Sequence, residues 1–310
     1  VRQPISVIIP SRGDSPFLRA ALQSAADAGA AEIVVALPEP IDPAPELSVP
    51  LVQVPVTRRR CSVGRNAAIA AARHRRVALL DDDDLYLPNH LEVLDRLFDE
   101  YPDAPLVTTR ARYFEDDSPD GTGVPPQPRD TDRIHPDASV GTRVSHRELL
   151  MATYFAVCAV GVDRDRIPPG ALHFDEELPV LEDYETWLRL TRFGDVAVGD
   201  EVTLWIRKRP KSDSRNVRAM AQYGLRILGE RSEEAREAGL STDEWNRRLG
   251  RLWHDLAWAE LAHGSGAECR QALARARQHG VRHGRDSIYL LASWLPLELR
   301  RLGVDTGATH

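Results

Sequence analysis

The chain has 310 residues, 28% of them charged, with a formal net charge of −7 and an isoelectric point of about 5.8. That acidic balance gives no general basic field to draw in nucleic acid or anionic lipid. Three scattered cysteines, Cys61, Cys158 and Cys269, lack metal-knuckle or disulfide-framework spacing and fit a reducing, cytoplasmic setting. No secretory leader or run of eighteen apolar residues is legible. Lys208 and Lys211 are the only lysines, an arginine bias that reads as GC-rich, bacterial coding.

In chain order, Ile5 to Ile9 is a short β-branched run that fits a buried strand. Pro16 then opens a helix over Phe17 to Ala28, with Leu18, Ala21, Leu22 and Ala25 at helical spacing. Glu32 to Leu37 and Val52 to Val56 read as strands, Arg65 to Arg73 as a helix, and Val77 to Leu80 as a buried strand. Pro88 to Tyr101 reads as a helix with Leu91, Leu94, Leu97 and Phe98 inward. This alternation predicts an α/β fold with a mostly parallel, Rossmann-like sheet flanked by helices. Residues 115 to 145 are rich in Pro, Gly, Asp and Thr and read as a long loop. Met151 to Val162 is expected to return to the sheet, Glu182 to Arg192 to be helical, and Val196 to Ile206 to form a final strand pair.

From residue 217 the composition turns helical, with segments at Ala219 to Gly229, Thr242 to His263, Ala267 to His279 and Asp286 to Leu302. The expected division is therefore residues 1–216 as the catalytic domain and 217–310 as a helical extension. The extension is assigned to packing on the catalytic domain or to a homodimer contact. Its end, SIYLLASWLPLELRRLG, could also seat on a membrane surface; a core or dimer helix is the favoured reading.

The strongest chemical signal is VALLDDDDLYLP, residues 77 to 88. Ligands of open parallel sheets bind beyond the carboxyl ends of the strands. Two carboxylates at i and i+2 on extended backbone can point the same way and offer hard oxygens to Mg²⁺ or Mn²⁺. A solvated acidic loop ahead of the next helix is the plain alternative. The pair Glu182 and Asp183 opens a helix, where acids are favoured by the dipole alone.

Four segments carry a resemblance to family-2 glycosyltransferases of the GT-A fold: ISVIIPSRGDSPFLRAALQSA, GRNAAIAAARHRRVALLDDDD, HFDEELPVLEDYETWLRL and LWIRKRPKSDSR. They occur in the family's order across roughly residues 4 to 215. The resemblance implies an inverting enzyme that moves a single sugar from a nucleoside-diphosphate donor, UDP favoured, to an acceptor hydroxyl. It places Pro10, Ser11 and Arg12 along the nucleotide and Arg65 near the base, ribose or phosphates. Asp81 and Asp82 would hold the ribose or metal-bound waters, with Asp83 and Asp81 as metal ligands for Mg²⁺ or Mn²⁺. Asp183 would be the general base, with Glu182 as the alternative. The acceptor is a glycan, a lipid-linked glycan or a small molecule.

Two positions depart from the family pattern. Where an aspartate usually reads the base, this chain has Pro38-Glu39-Pro40, so either Glu39 is the substitute or the base is read otherwise. Where a His often reaches the diphosphate, it has Arg209, which cannot ligate a cation but can pair with phosphate oxygens, helped by Arg207 and Lys211. Arg58 to Arg60 reads as a solvated turn. Two other readings remain. A sugar-phosphate nucleotidyltransferase would need a Gly-rich basic loop after the first strand, which SRGDSPF does not supply. A non-catalytic GT-A-like protein would use the helical tail to bind a partner.

Overall fold

The computed structural model describes residues 2–115, 125, 134–136, 139–208 and 216–298. The chain divides into two compact units, Val1–Pro210 and Lys211–His310.

The first unit is built on one mixed sheet of ten strands. β1 (Ile5–Pro10), β2 (Glu32–Leu37), β3 (Leu51–Pro55) and β4 (Arg76–Leu79) form a parallel half in the order β3-β2-β1-β4. Every residue of β1, β2 and β4 is buried, which is why these strands read as unbroken apolar runs rather than as alternations. β5 (Leu85–Tyr86), β6 (Leu106–Glu115), β9 (Val160–Asp163) and β10 (Val196–Lys208) complete the path as β4-β9-β6-β10-β5. β9 runs antiparallel to both neighbours, whereas β6 and β10 pair in parallel. The short β7 (Ile134–His135) and β8 (Arg143–Val144) pair with β6 and β10.

Helices α1 (Leu18–Asp27), α2 (Cys61–Ala71) and α3 (His90–Glu100) cover this sheet, followed by α4 (His146–Met151) and α5 (Glu182–Leu190). α1 buries Leu18, Ala21, Leu22 and Ala25, and α3 buries Leu91, Leu94, Leu97 and Phe98, the spacing read from the sequence. Each large side chain so buried stabilises by roughly 1.5–3 kcal/mol relative to exposure. α3 lies close on the sheet because β9 offers Gly161, where a Cβ would meet Leu94 and Phe98 at 3.2 Å.

Several expected elements differ. Val196 to Ile206 is not a strand pair but part of one thirteen-residue strand, β10, with register shifts against β6 between Val198 and Val202 and between Val202 and Leu204. Two bulges let it turn without a hairpin. The Met151 to Val162 segment does return to the sheet, through β9, after a 3₁₀ turn at Val157–Ala159. β6, a ten-residue strand within the sheet, was not anticipated at all.

The second unit is helical: α6 (Val217–Gly229), α7 (Ser232–Glu237), α8 (Thr242–His263), α9 (Gly266–Gln278) and α10 (Asp286–Ala292). α7 was not foreseen, and α10 ends well before Leu302. α8 starts on a capping box in which Ser241 accepts from the Glu244 amide and Glu244 accepts from the Ser241 amide. Its core gathers Ala221, Leu256, Ala257, Leu261, Cys269 and Leu273. Among the described residues no helix is long and apolar enough to cross a membrane.

Candidate active site

The site forms where β1 and β4 end. The Ser11 amide donates to the Ala36 carbonyl at 2.8 Å, so the chain leaving β1 stays alongside β2 for one more residue. This fixes the Ser11 side chain, whose hydroxyl donates to Asp82 Oδ2 at 2.6 Å. Ser15 donates to the Asp82 carbonyl at 3.2 Å, tying the start of α1 to the same loop. Pro10 is buried beneath α2, and Gly64 makes that approach possible. A Cβ at Gly64 would lie 2.9 Å from the Pro10 Cβ.

One residue beyond Gly64, Arg65 enters the site almost wholly buried, 2% exposed. Its Nη2 donates to Asp81 Oδ1 at 2.8 Å and its Nη1 to Glu182 Oε1 at 2.6 Å. The guanidinium lies over the Phe174 ring at 5.2 Å. Burial opposes its charge, but Asp81 and Glu182 outweigh that cost and hold it firmly protonated. Arg65 is therefore the bridge between the acidic run after β4 and the acidic pair that opens α5.

The four aspartates do four different things. Asp81 pairs with Arg65 and Asp82 accepts from Ser11. Asp83 is half-buried, and its carbonyl accepts from Arg207 Nε at 2.8 Å. Asp84 is buried and accepts from the Arg207 amide at 2.9 Å. Burial first, then Asp83 and Asp81, push the Asp84 carboxyl well above the usual carboxylate range. Asp84 thus locks the turn onto β10. Arg207, expected as a phosphate clamp, is instead 3% exposed and packed 4.0 Å from the Phe17 ring and 4.6 Å from the Phe114 ring.

On the opposite wall, Leu181 takes a left-handed conformation, φ 63°, which turns the chain abruptly into α5. Asp183 is half-buried and its Oδ1 accepts from the Tyr184 amide at 2.7 Å. Burial, followed by the neighbouring Glu182 charge, pushes Asp183 up to about 6, against the pull of Arg65 and the Tyr184 amide. The segment leading there is clamped to α2 by Asn66, which donates to the Phe174 carbonyl and accepts from the Phe174 amide, both at 2.8 Å. Arg58 and Arg60, expected to be solvated, reach Glu176: Arg60 donates to its carbonyl at 2.8 Å and Arg58 to its carboxylate at 3.5 Å. Cys61, at the head of α2, is pushed up to about 11 by burial and is no nucleophile.

Of the sequence-predicted residues, Asp81, Glu182 and Asp183 gather at the Arg65 guanidinium, while Ser11 bonds Asp82, Pro10 lies against Gly64, and the Asp83 carbonyl accepts from Arg207 elsewhere in the site. Arg12 and Glu39 are exposed at its margin; Glu39 follows Pro38, which sits against Gly13 in the loop after β1. Arg209 lies outside the described residues. Phe174 and Asp84 were not singled out in advance. Asp84 looks like its three neighbours in sequence, and Phe174 carries no motif of its own.

Among the described residues, no group of three or more His, Cys, Asp or Glu gathers to hold a metal. The donor set does fit a cation that takes one or two carboxylates and draws its remaining ligands from phosphate and water, as Mg²⁺ and Mn²⁺ do.

The family model described as Glycosyl transferase family 2 matches residues 6–151. No curated protein matches the chain. Among solved structures, TarS from S. aureus in complex with UDP is 18% identical, covering 97% of this chain and 92% of that one, with a TM-score of 0.52. A mannosyltransferase from Pyrobaculum calidifontis, in complex with GDP-Man and Mn²⁺, is 14% identical over 97% of this chain and 88% of that one, with a TM-score of 0.53. These likenesses share the fold. Residues 6–151 are thus similar to glycosyltransferase family 2, and the chain shares the fold of these solved glycosyltransferases.

Proposed function

We propose that the chain is an inverting, cation-assisted transferase that moves one sugar from a nucleoside-diphosphate donor, UDP favoured, to an acceptor hydroxyl. The observation that carries this reading is the Arg65 bridge between Asp81 and Glu182, 2.8 and 2.6 Å long. It joins a carboxylate-rich strand end suited to a diphosphate and a cation to a raised carboxyl suited to proton removal. Two comparisons support the donor class: TarS was solved with UDP-GlcNAc and the Pyrobaculum enzyme with GDP-Man and Mn²⁺.

Asp183 takes the acceptor hydroxyl proton as the oxygen forms its bond to the anomeric carbon. The bond from that carbon to the diphosphate oxygen breaks on the opposite face, and the electron pair leaves with the nucleoside diphosphate. Asp183 suits the task because a base with a pKa near the working pH is ionised yet still basic. Glu182, held by Arg65, is poorly placed for it, since its charge stabilises the guanidinium. Pro10, Ser11 and Arg12 line the nucleotide, with Glu39 at the base end. Asp83, with Asp81, would hold Mg²⁺ or Mn²⁺, whose positive charge neutralises the departing diphosphate.

Calorimetry of UDP, GDP, CDP and dTDP with and without Mn²⁺, on the wild type and on Asp83→Ala, tests the reading. Cation-dependent binding of one diphosphate, weakened in the variant, supports it. A folded protein that binds none of them sinks it and favours the non-catalytic reading, in which the helical unit binds a partner.

A further inference from the structure

The helical unit presents a feature that sugar transfer does not use. α10 and the turn after it carry apolar side chains on two sides. Tyr289, Leu290 and Ala292 pack against the core of the unit. Ile288, Leu291, Trp294 and Leu295 point outward and are 63%, 73%, 71% and 47% exposed. They make up four of the six large apolar side chains that stand exposed among the described residues. Ile288 and Leu291 lie one helical turn apart on α10, and Trp294 and Leu295 follow in the turn after it.

Along the stretch that carries it, basic residues outnumber acidic ones. From Cys269 to Glu298 the sequence holds five arginines, Arg270, Arg275, Arg277, Arg282 and Arg285, against Asp286 and Glu298, in a chain whose formal net charge is −7. Arg270 is laid over the Trp294 ring at 3.7 Å and donates to the Ser293 carbonyl at 3.1 Å, so a cation is fixed at the rim of the apolar patch. Arg275, Arg277, Arg282 and Arg285 are exposed. Docking of a second copy through this face would bring the same five arginines together, since a two-fold contact pairs a surface with itself. An anionic lipid surface meets both features at once. Its acyl boundary accepts Leu, Ile and the Trp body, and its headgroups accept guanidinium.

We propose that the outer face of α10 and its following turn docks the protein onto anionic lipid bilayers, peripherally and without crossing them. The docking is independent of the sugar-transfer reading and does not need it to hold.

The test is flotation of the full chain with phosphatidylcholine vesicles and with vesicles enriched in phosphatidylglycerol. The protein is expected to float with the anionic vesicles alone, and to be released by high salt. Leu291→Glu and Trp294→Ser should each weaken vesicle binding about tenfold or more. Their helical content by circular dichroism should match the wild type. Arg275→Glu with Arg282→Glu, both at exposed positions, should lose the anionic preference even if an apolar substitution were to disturb the unit. Absence of flotation at low salt would overturn the proposal. So would equal binding to neutral vesicles, or binding untouched by any of these variants. Self-association in sedimentation that Leu291→Glu abolishes would assign the face to a second copy instead.

Discussion

Arg65 Nη1 meets Glu182 Oε1 at 2.6 Å although 117 residues separate them in sequence. With Asp81 on its other arm, this guanidinium is the contact through which α2 holds the acidic run after β4 against α5. Replacing it by Met leaves two carboxylates in a buried setting without their cation, which should cost about 3–5 kcal/mol. Arg65→Lys should not rescue, because a single ammonium cannot span two carboxylates as a planar fork does. Urea midpoints of the three proteins check both statements.

Asp183→Asn keeps the shape and removes the proposed base. The expected result is a fall in kcat of about 10²–10⁴-fold, with the affinity for donor diphosphate unchanged. If Glu182→Gln lost activity while Asp183→Asn kept it, the roles would have to be exchanged.

The same carboxyl sets a pH dependence. Asp183 is pushed up to about 6, so kcat/KM should fall about tenfold per pH unit below that value and level off above it. Stability responds in the opposite sense. A raised carboxyl favours the fold while protonated, and that contribution fades as pH rises through about 6. Asp183→Asn should therefore be more stable than the wild type above pH 6 and gain nothing below the ordinary carboxyl value of 3.8. Thermal melts of both proteins across this range would show it.

Gly64→Ala is a steric test of how the site is assembled. The added Cβ would lie 2.9 Å from the Pro10 Cβ, between helix and strand, where neither side yields easily. Such overpacking costs typically about 1–3 kcal/mol. Because Arg65 is the next residue, weaker donor binding should accompany the loss, measured by calorimetry alongside the melt.

The parts of this fold that sequence reading anticipated are those whose local pattern and tertiary role agree. β4 is an apolar run that ends at carboxylates, and α3 shows its buried stripe at helical spacing. β6 was invisible because its sequence, LVTTRARYFE, places polar groups in the middle of a sheet. Two of those groups are held by distant partners. Thr109 accepts from Thr203 at 2.6 Å, and Arg110 donates to the Pro136 carbonyl and to Asp200, both at 3.0 Å. In the site, the Asp81 to Asp83 run stands out by its position after β4, whereas Asp183 was marked only by the family resemblance. The difference between Asp84 and its neighbours is not legible there, since it depends on an amide of β10. Arg207 read as a helper of the phosphate clamp because no periodicity reveals the two rings that enclose it.

The irregular pairing of β10 has a consequence for how the aspartate turn is kept. Val196 pairs with Leu106 and Val198 with Thr108, even numbers with even; beyond the bulges Trp205 pairs with Arg112 and Arg207 with Phe114, odd with even. Parity has switched, and with period-two side chains that switch decides which face a residue serves. Arg207 can thus lie with Phe114 and brace the aspartate turn only because the strand absorbs an odd number of extra residues on the way. Residues 199 to 203 act as a vernier between the two ends of one strand, so deleting one of them would invert Arg207 and unseat the turn while the rest of the sheet stayed in place.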